Sequence, residues 1–245
     1  NSDVVYSLST KGEILWRYAH RADPSRQMRL QLLGAAKPLA REDDVVLGFS
    51  DGAVVRVDRE TSDILEQVWN GAGRYPDIIA EPTDLKTGVL ISGFEEPTWK
   101  QADSAVSWEQ AIGGKHSAVV LDEQNGIMVL HPGGDGILRK IDTTSGAIIW
   151  SWDSESTSSL TTPQISSQGA FISSSSGGLW LIDPSTGEEK WSYQTDYLFA
   201  GTMHAPLVTD EQIFMLNKTG ILMVFSSVED KPFTCPDMYC QWISE

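Results

Sequence analysis

One unit recurs along this chain and limits its fold more than any other feature. The clearest copy is Gly178-Leu-Trp-Leu-Ile-Asp-Pro-Ser-Thr-Gly-Glu-Glu-Lys-Trp191. It reads as an apolar strand, a turn over Asp183-Pro184-Ser185-Thr186-Gly187, and a second strand ending on Trp191. Asp and Pro open the turn, and Gly closes it where a positive φ is needed. The same unit runs from Gly136 to Trp150 and from Val5 to Trp16. A decayed copy spans Val54 to Glu66, with Glu66 where the tryptophan belongs. Further copies are expected to end at Trp108 and Trp242. The slots 16, 66, 108, 150, 191 and 242 lie 50, 42, 42, 41 and 51 residues apart. A period of about 40 to 50 residues, all strand and turn, predicts β-propeller blades rather than helical solenoids.

Between these hairpins the chain supplies the remaining strands. The sequence predicts an opening hairpin within residues 1–18 and units at 30–70, 77–110, 117–153, 160–196 and 204–245. That is an all-β fold of about five full four-stranded antiparallel blades plus an N-terminal hairpin, read as one domain over 1–245. In the last unit the outer strand is expected at Cys240 to Ile243. Four inner strands are expected to begin at Pro38, Pro82, Pro163 and Pro206, because proline at a strand's first residue costs no ladder donor. Unalternating apolar runs such as Ile127-Met-Val-Leu130 suit strands covered on both faces. A tryptophan ending each outer strand has the size to wedge between neighbouring blades, so these residues read as packing rather than as a ligand cage.

At 245 residues with a 40% hydrophobic fraction, the chain has material for a large core. Its formal charge of −16 repels phosphate backbones and anionic headgroups, which argues against nucleic acid and against direct lipid binding by this domain. No apolar run approaches the roughly 20 residues that span a bilayer. Cys235 and Cys240, with Pro-Asp-Met-Tyr between them, are expected to form one local disulfide in an oxidising compartment; a pair of reduced thiols is the alternative.

Local catalytic motifs are missing. His20, His116, His131 and His204 are scattered, and the chain has no phosphate loop. Neither a metal site nor a cofactor is expected. Asp58, Asp142 and Asp183 fall in blade turns, where they would cap backbone. Asn217-Lys-Thr219 matches a glycosylation acceptor, a short pattern frequent by chance. The longest connection, Ala19 to Ala36, carries Arg21, Arg26 and Arg29, then Leu30-Gln-Leu-Leu33. Long loops in compact β proteins are often functional. The leucines also suit the start of an inner strand.

The repeat Leu181-Ile-Asp-Pro-Ser-Thr-Gly-Glu-Glu-Lys-Trp191 resembles that of the pyrroloquinoline-quinone-type (PQQ) β-propellers, which include quinoprotein dehydrogenases and the BamB-like outer-membrane assembly lipoproteins. Two irregular segments resemble the BamB-like group in particular. Arg29-Leu-Gln-Leu-Leu-Gly34-Ala-Ala-Lys-Pro38 keeps both leucines, the Gly and the Pro of a family loop, with Leu33 in place of an Arg. Asp77-Ile-Ile-Ala-Glu-Pro82 keeps the first Asp and the Pro of a second segment, with Ile79 in place of the second Asp.

The resemblance implies a non-catalytic scaffold in the periplasm, associated with the outer membrane and acting in β-barrel protein assembly. It implies that Arg29, Leu30, Leu32, Leu33 and Asp77 belong to a face binding the periplasmic POTRA-type domains of a BamA-like insertase. An N-terminal lipid anchor would then lie outside this chain. Family members have eight blades, which by the present period would take about 150 residues more. The expectation is therefore either residues before Asn1 or a shortened ring. Two other functions compete. A quinoprotein dehydrogenase fragment would need a vicinal cysteine pair and a Ca²⁺ site, and Cys235 and Cys240 are not vicinal. A ligand- or protein-sensing propeller domain of a receptor would also accommodate the disulfide.

Overall fold

The computed structural model describes residues 4–22, 36–70, 74–95, 97–102, 105–123, 126–194, 201, 204–228 and 231–234. Every regular element among them is a strand. The first two, β1 (Val4–Leu8) and β2 (Ile14–Ala19), form a two-stranded hairpin. Five four-stranded sheets follow. They comprise β3 (Leu39–Ala40), β4 (Asp44–Gly48), β5 (Ala53–Asp58) and β6 (Ile64–Trp69); then β7 (Thr83–Asp84), β8 (Val89–Ser92), β9 (Thr98–Ala102) and β10 (Ala105–Gln110). The third holds β11 (Val119–Glu123), β12 (Gly126–Pro132), β13 (Ile137–Asp142) and β14 (Ile148–Asp153). The fourth holds β15 (Gln164–Ser166), β16 (Gly169–Ser173), β17 (Gly178–Ile182) and β18 (Glu189–Gln194). The last holds β19 (Leu207–Val208), β20 (Gln212–Leu216), β21 (Leu222–Val228) and β22 (Lys231–Thr234). Each sheet pairs its strands in chain order, all antiparallel, as the blades of a β-propeller do.

The sequence signals map onto these elements. The inner strands β3, β7, β15 and β19 each begin at the residue after Pro38, Pro82, Pro163 and Pro206. The middle strands β4, β8, β16 and β17 are buried at every residue, which explains their unbroken apolar runs. One expectation is corrected. The outer strand of the last sheet is β22, at Lys231–Thr234, and not the 240–243 segment, which lies outside the described residues. Strand β21 runs on to Val228, and Lys231 pairs directly with it, so the connection is short rather than an enlarged turn.

The third-to-fourth turn is built alike in several sheets. Asp183 N–H donates to the Glu188 carbonyl at 2.8 Å, Gly187 N–H donates to the Asp183 carbonyl, and Asp183 Oδ1 accepts from Ser185 N–H. Asp58 does the same, with its N–H on the Asp63 carbonyl and its Oδ1 accepting from Glu60 and Thr61. In each case the register shifts by one residue just before the Asp, between Arg56 and Val57 or Leu181 and Ile182. The turn needs a positive φ four residues after the Asp. Gly146 and Gly187 supply it at 76° and 78°, and Ser62 takes it at 64° without glycine's freedom.

The chain divides into two compact units, Asn1–Ser117 with Thr143–Gly146, and Ala118–Asp142 with Ala147–Glu245. In the first, Val45, Leu47, Val55 and Val57 pack with Tyr18 and Trp16, while Val46, Val54, Ile78, Ile91 and Trp99 form a second cluster. In the second, Phe171, Leu181, Met215 and Phe225 form one core, and Leu138, Leu160, Ile172 and Trp180 another. Slot tryptophans lie on hairpin turns. The Trp16 indole donates to the Arg59 carbonyl at 2.7 Å, and that of Trp108 to the Thr143 carbonyl at 3.0 Å. A Cβ on Gly187 would meet the Trp150 ring at 2.7 Å. Trp191 meets Phe225 edge-on at 5.9 Å. They pack, as the sequence predicts.

Candidate functional site: a loop junction and a polar seam

The two segments singled out by sequence come together at their described ends. Ala36 and Ile78 belong to one buried cluster and flank Gly48 at the end of β4. Only glycine fits there, because a Cβ would stand 2.5 Å from Ile78 Cγ2 and 3.1 Å from Ala36 Cβ. Outside that contact Lys37 Nζ pairs with Glu81 at 3.0 Å. Backbone bonds fix the second segment, with Ile78 N–H donating to the Phe49 carbonyl and Phe94 N–H to the Asp77 carbonyl. Tyr75 packs edge-on against Phe94 at 6.1 Å, and Glu95 accepts from the backbone N–H groups of Arg74 and Tyr75.

Asp77 itself is fully buried (0% exposed), so its side chain lies beneath this surface rather than on it. Arg29, Leu30, Leu32 and Leu33 lie outside the described residues, as do Cys235 and Cys240.

A second arrangement was not singled out in the sequence. Glu66, in the tryptophan slot of β6, accepts from Arg56 Nη1 at 3.0 Å and from the Gln101 side-chain amide of β9 at 2.7 Å. Arg56 Nε also donates to Asp44 Oδ2 at 2.9 Å, and Arg41 clamps both oxygens of Asp44. Burial pushes the Asp44 carboxyl upward, but the Arg41 and Arg56 guanidiniums outweigh it and hold the group below the usual carboxylate range. The same pairing raises Arg41. This polar ladder borders a cavity of about 420 Å³ between the sheets β3–β6 and β7–β10. Its signal in the sequence was the substitution itself, a carboxylate where its sister repeats carry tryptophan.

A third polar group ties the opening hairpin to the next sheet. His20 Nε2 meets Asp51 Oδ2 at 2.9 Å, both side chains 1% exposed, and the imidazole stacks on Phe49 at 4.1 Å. Burial pushes Asp51 up, and hydrogen bonds from His20, the Ala53 N–H and the Trp69 indole bring it net below its ordinary value. Among the described residues no three His, Cys, Asp or Glu side chains gather in a metal-holding group. Asp58 and Asp183 sit in turns with lowered pKa, drawn down by the Thr61 N–H and by Lys190 respectively.

Successive four-stranded sheets with Asp-opened turns and slot tryptophans define a β-propeller of the PQQ-like repeat class. The chain belongs to the family described as outer membrane protein assembly factor BamB, whose model matches residues 1–151 and 134–230. No curated protein sequence matches it. Among solved structures it is similar to BamB from Moraxella catarrhalis, with a TM-score of 0.73 and 16% identity over 93% of this chain and 68% of that one. It is also similar to the computationally designed Ika8 protein, with a TM-score of 0.65 and 16% identity over 89% of this chain and 63% of that one. At such identity both likenesses are of fold.

Proposed function

We propose that this chain is a non-catalytic scaffold of outer-membrane β-barrel assembly, working in the periplasm beside the outer membrane. Its partner is a BamA-like insertase, gripped through POTRA-type domains. The observation that carries the reading, beyond family membership, is the junction of the two segments around Gly48 and the Lys37–Glu81 pair. Segments about 40 residues apart in sequence meet on one rigid sheet end, which is how a propeller presents loops to a partner. In this reading Leu30 and Leu32 supply the apolar anchor, and Arg29 and Leu33 belong to the same partner-binding set. Asp77 contributes from below by holding the 77–82 backbone in place.

The test is capture of purified POTRA domains by the immobilised chain, with circular dichroism on each variant. Leu30→Ala and Leu32→Ala are expected to keep the fold and each weaken capture by about tenfold or more, as loss of a hot-spot anchor does. Asp77→Asn is expected to lower both capture and melting temperature, because its position is interior. Undiminished capture by the Leu30→Ala, Leu32→Ala double variant would remove the face from this region. Failure of the wild-type chain to bind any POTRA domain would remove the partner.

A further inference from the structure

Glu66 leaves a hole that other repeats fill. Trp16, Trp108 and Trp150 each cover a hairpin turn, and Gly146 and Gly187 lack the Cβ that would collide with Trp108 and Trp150. The seam at Glu66 has a smaller, charged side chain in that slot and a cavity of about 420 Å³ beside it. That volume lies within the range of small-molecule pockets, about 300 to 1,000 Å³.

Its walls carry charge of both signs. Arg41, Arg56 and Lys86 stand against Glu66, on a chain whose net charge is −16. Among the described residues, Arg41 Nη1 and Arg56 Nη2 make no hydrogen bond. Gln101, 5% exposed, gives its amide N–H to Glu66 and keeps its buried Oε1 without a donor. Such an orphaned acceptor is uncommon in a folded interior. The remaining wall is aliphatic, with Val46, Val54, Val89 and Ile91. A simple anion would face Glu66, and a simple cation would face the guanidiniums. A zwitterion answers both.

We propose that this cavity binds a small aliphatic α-amino acid. Its carboxylate meets Arg41 and Arg56, its ammonium meets Glu66 and the Gln101 oxygen, and its side chain lies on the valines. Oε1 is covered by its neighbours, so a small turn of the Gln101 amide accompanies binding. The site is independent of the scaffold reading and does not involve the loop junction.

Isothermal titration of the full chain with L-leucine and L-valine tests this, with N-acetyl-L-leucine and L-leucinamide as probes lacking one charge each. Saturable binding of a free amino acid is expected, weakened about tenfold or more when either end is blocked, the equivalent of one lost charged contact. Glu66→Trp restores the residue of the sister repeats and is expected to fill the cavity and abolish binding. Gln101→Leu is near in size and is expected to weaken it. Absence of saturable binding by the wild-type chain overturns the proposal, as does N-acetyl-L-leucine binding as well as L-leucine. Unchanged affinity in Gln101→Leu overturns the role of the amide even if Glu66→Trp fails to fold.

Discussion

His131 sits on β12 with no exposed surface, and burial, helped by the Arg139 charge, pushes its imidazole down to about 4. An unfolded histidine titrates near 6.5. The folded protein therefore holds His131 neutral while the unfolded chain takes up a proton below that pH. Stability from this residue is complete above about 6.5 and is lost as pH falls toward 4, by about 3 kcal/mol in all. Urea unfolding across that interval checks the slope, and His131→Gln is expected to flatten it. Asp51 acts in a lower window. Its carboxyl is held below its ordinary value, so its contribution is present above the unfolded value near 3.9 and is lost as pH falls through the folded one. Asp51→Asn leaves His20 buried against a poorer partner and is expected to cost about 3 kcal/mol at neutral pH. Denaturant midpoints of variant and wild type should draw together as pH falls below the ordinary carboxylate value. A constant gap would mean that Asp51 matters through its turn hydrogen bonds alone.

At the scale of the element, one turn design serves several hairpins, and its exceptions are informative. Ser62 holds a φ of 64° where sister turns have glycine, a conformation costing an L-residue about 1 kcal/mol. Ser62→Gly is expected to stabilise the protein by a few tenths to about 1 kcal/mol, since glycine's added unfolded-state entropy offsets part of the relief. Gly187→Ala should do the opposite, by about 2 kcal/mol or more, because strain at φ 78° adds to a Cβ pressed on Trp150. Melting temperatures of the pair, measured together, check both signs. The same turns explain what the sequence made legible. Asp183, Pro206 or Trp150 acts through its own backbone geometry or bulk, so its position alone reports its structural role. Glu66 was visible as an oddity, but its meaning depends on Arg56, Asp44 and Gln101, which reach it across strands and from the next sheet. No local spacing encodes such a meeting. Asp77 likewise showed its place in a loop but not its burial, which arises from packing of Ile78 against Gly48. The last outer strand was misplaced because Trp242 offered the expected slot, whereas hydrogen bonding favours the immediate return at Lys231.

For the molecule as a whole, the formal charge of −16 is the property that acts beyond any single contact. A field of one sign speeds the encounter with a partner of opposite sign and is screened over about 10 Å at 0.1 M salt. If the proposed POTRA-type partner approaches through a basic surface, its association rate should carry most of the salt dependence. The proposed apolar anchor at Leu30 and Leu32 should instead govern dissociation, because desolvated contacts are screened little. Surface plasmon resonance between 50 and 500 mM NaCl separates the two. The association rate is expected to fall by about tenfold or more across that range with little change in dissociation. Leu30→Ala is expected to raise the dissociation rate and leave the salt slope as it was. An association rate indifferent to salt would mean that the acidic surface keeps the chain soluble and plays no part in finding its partner. A dissociation rate that climbs with salt would place charge pairs, not leucines, at the centre of the interface.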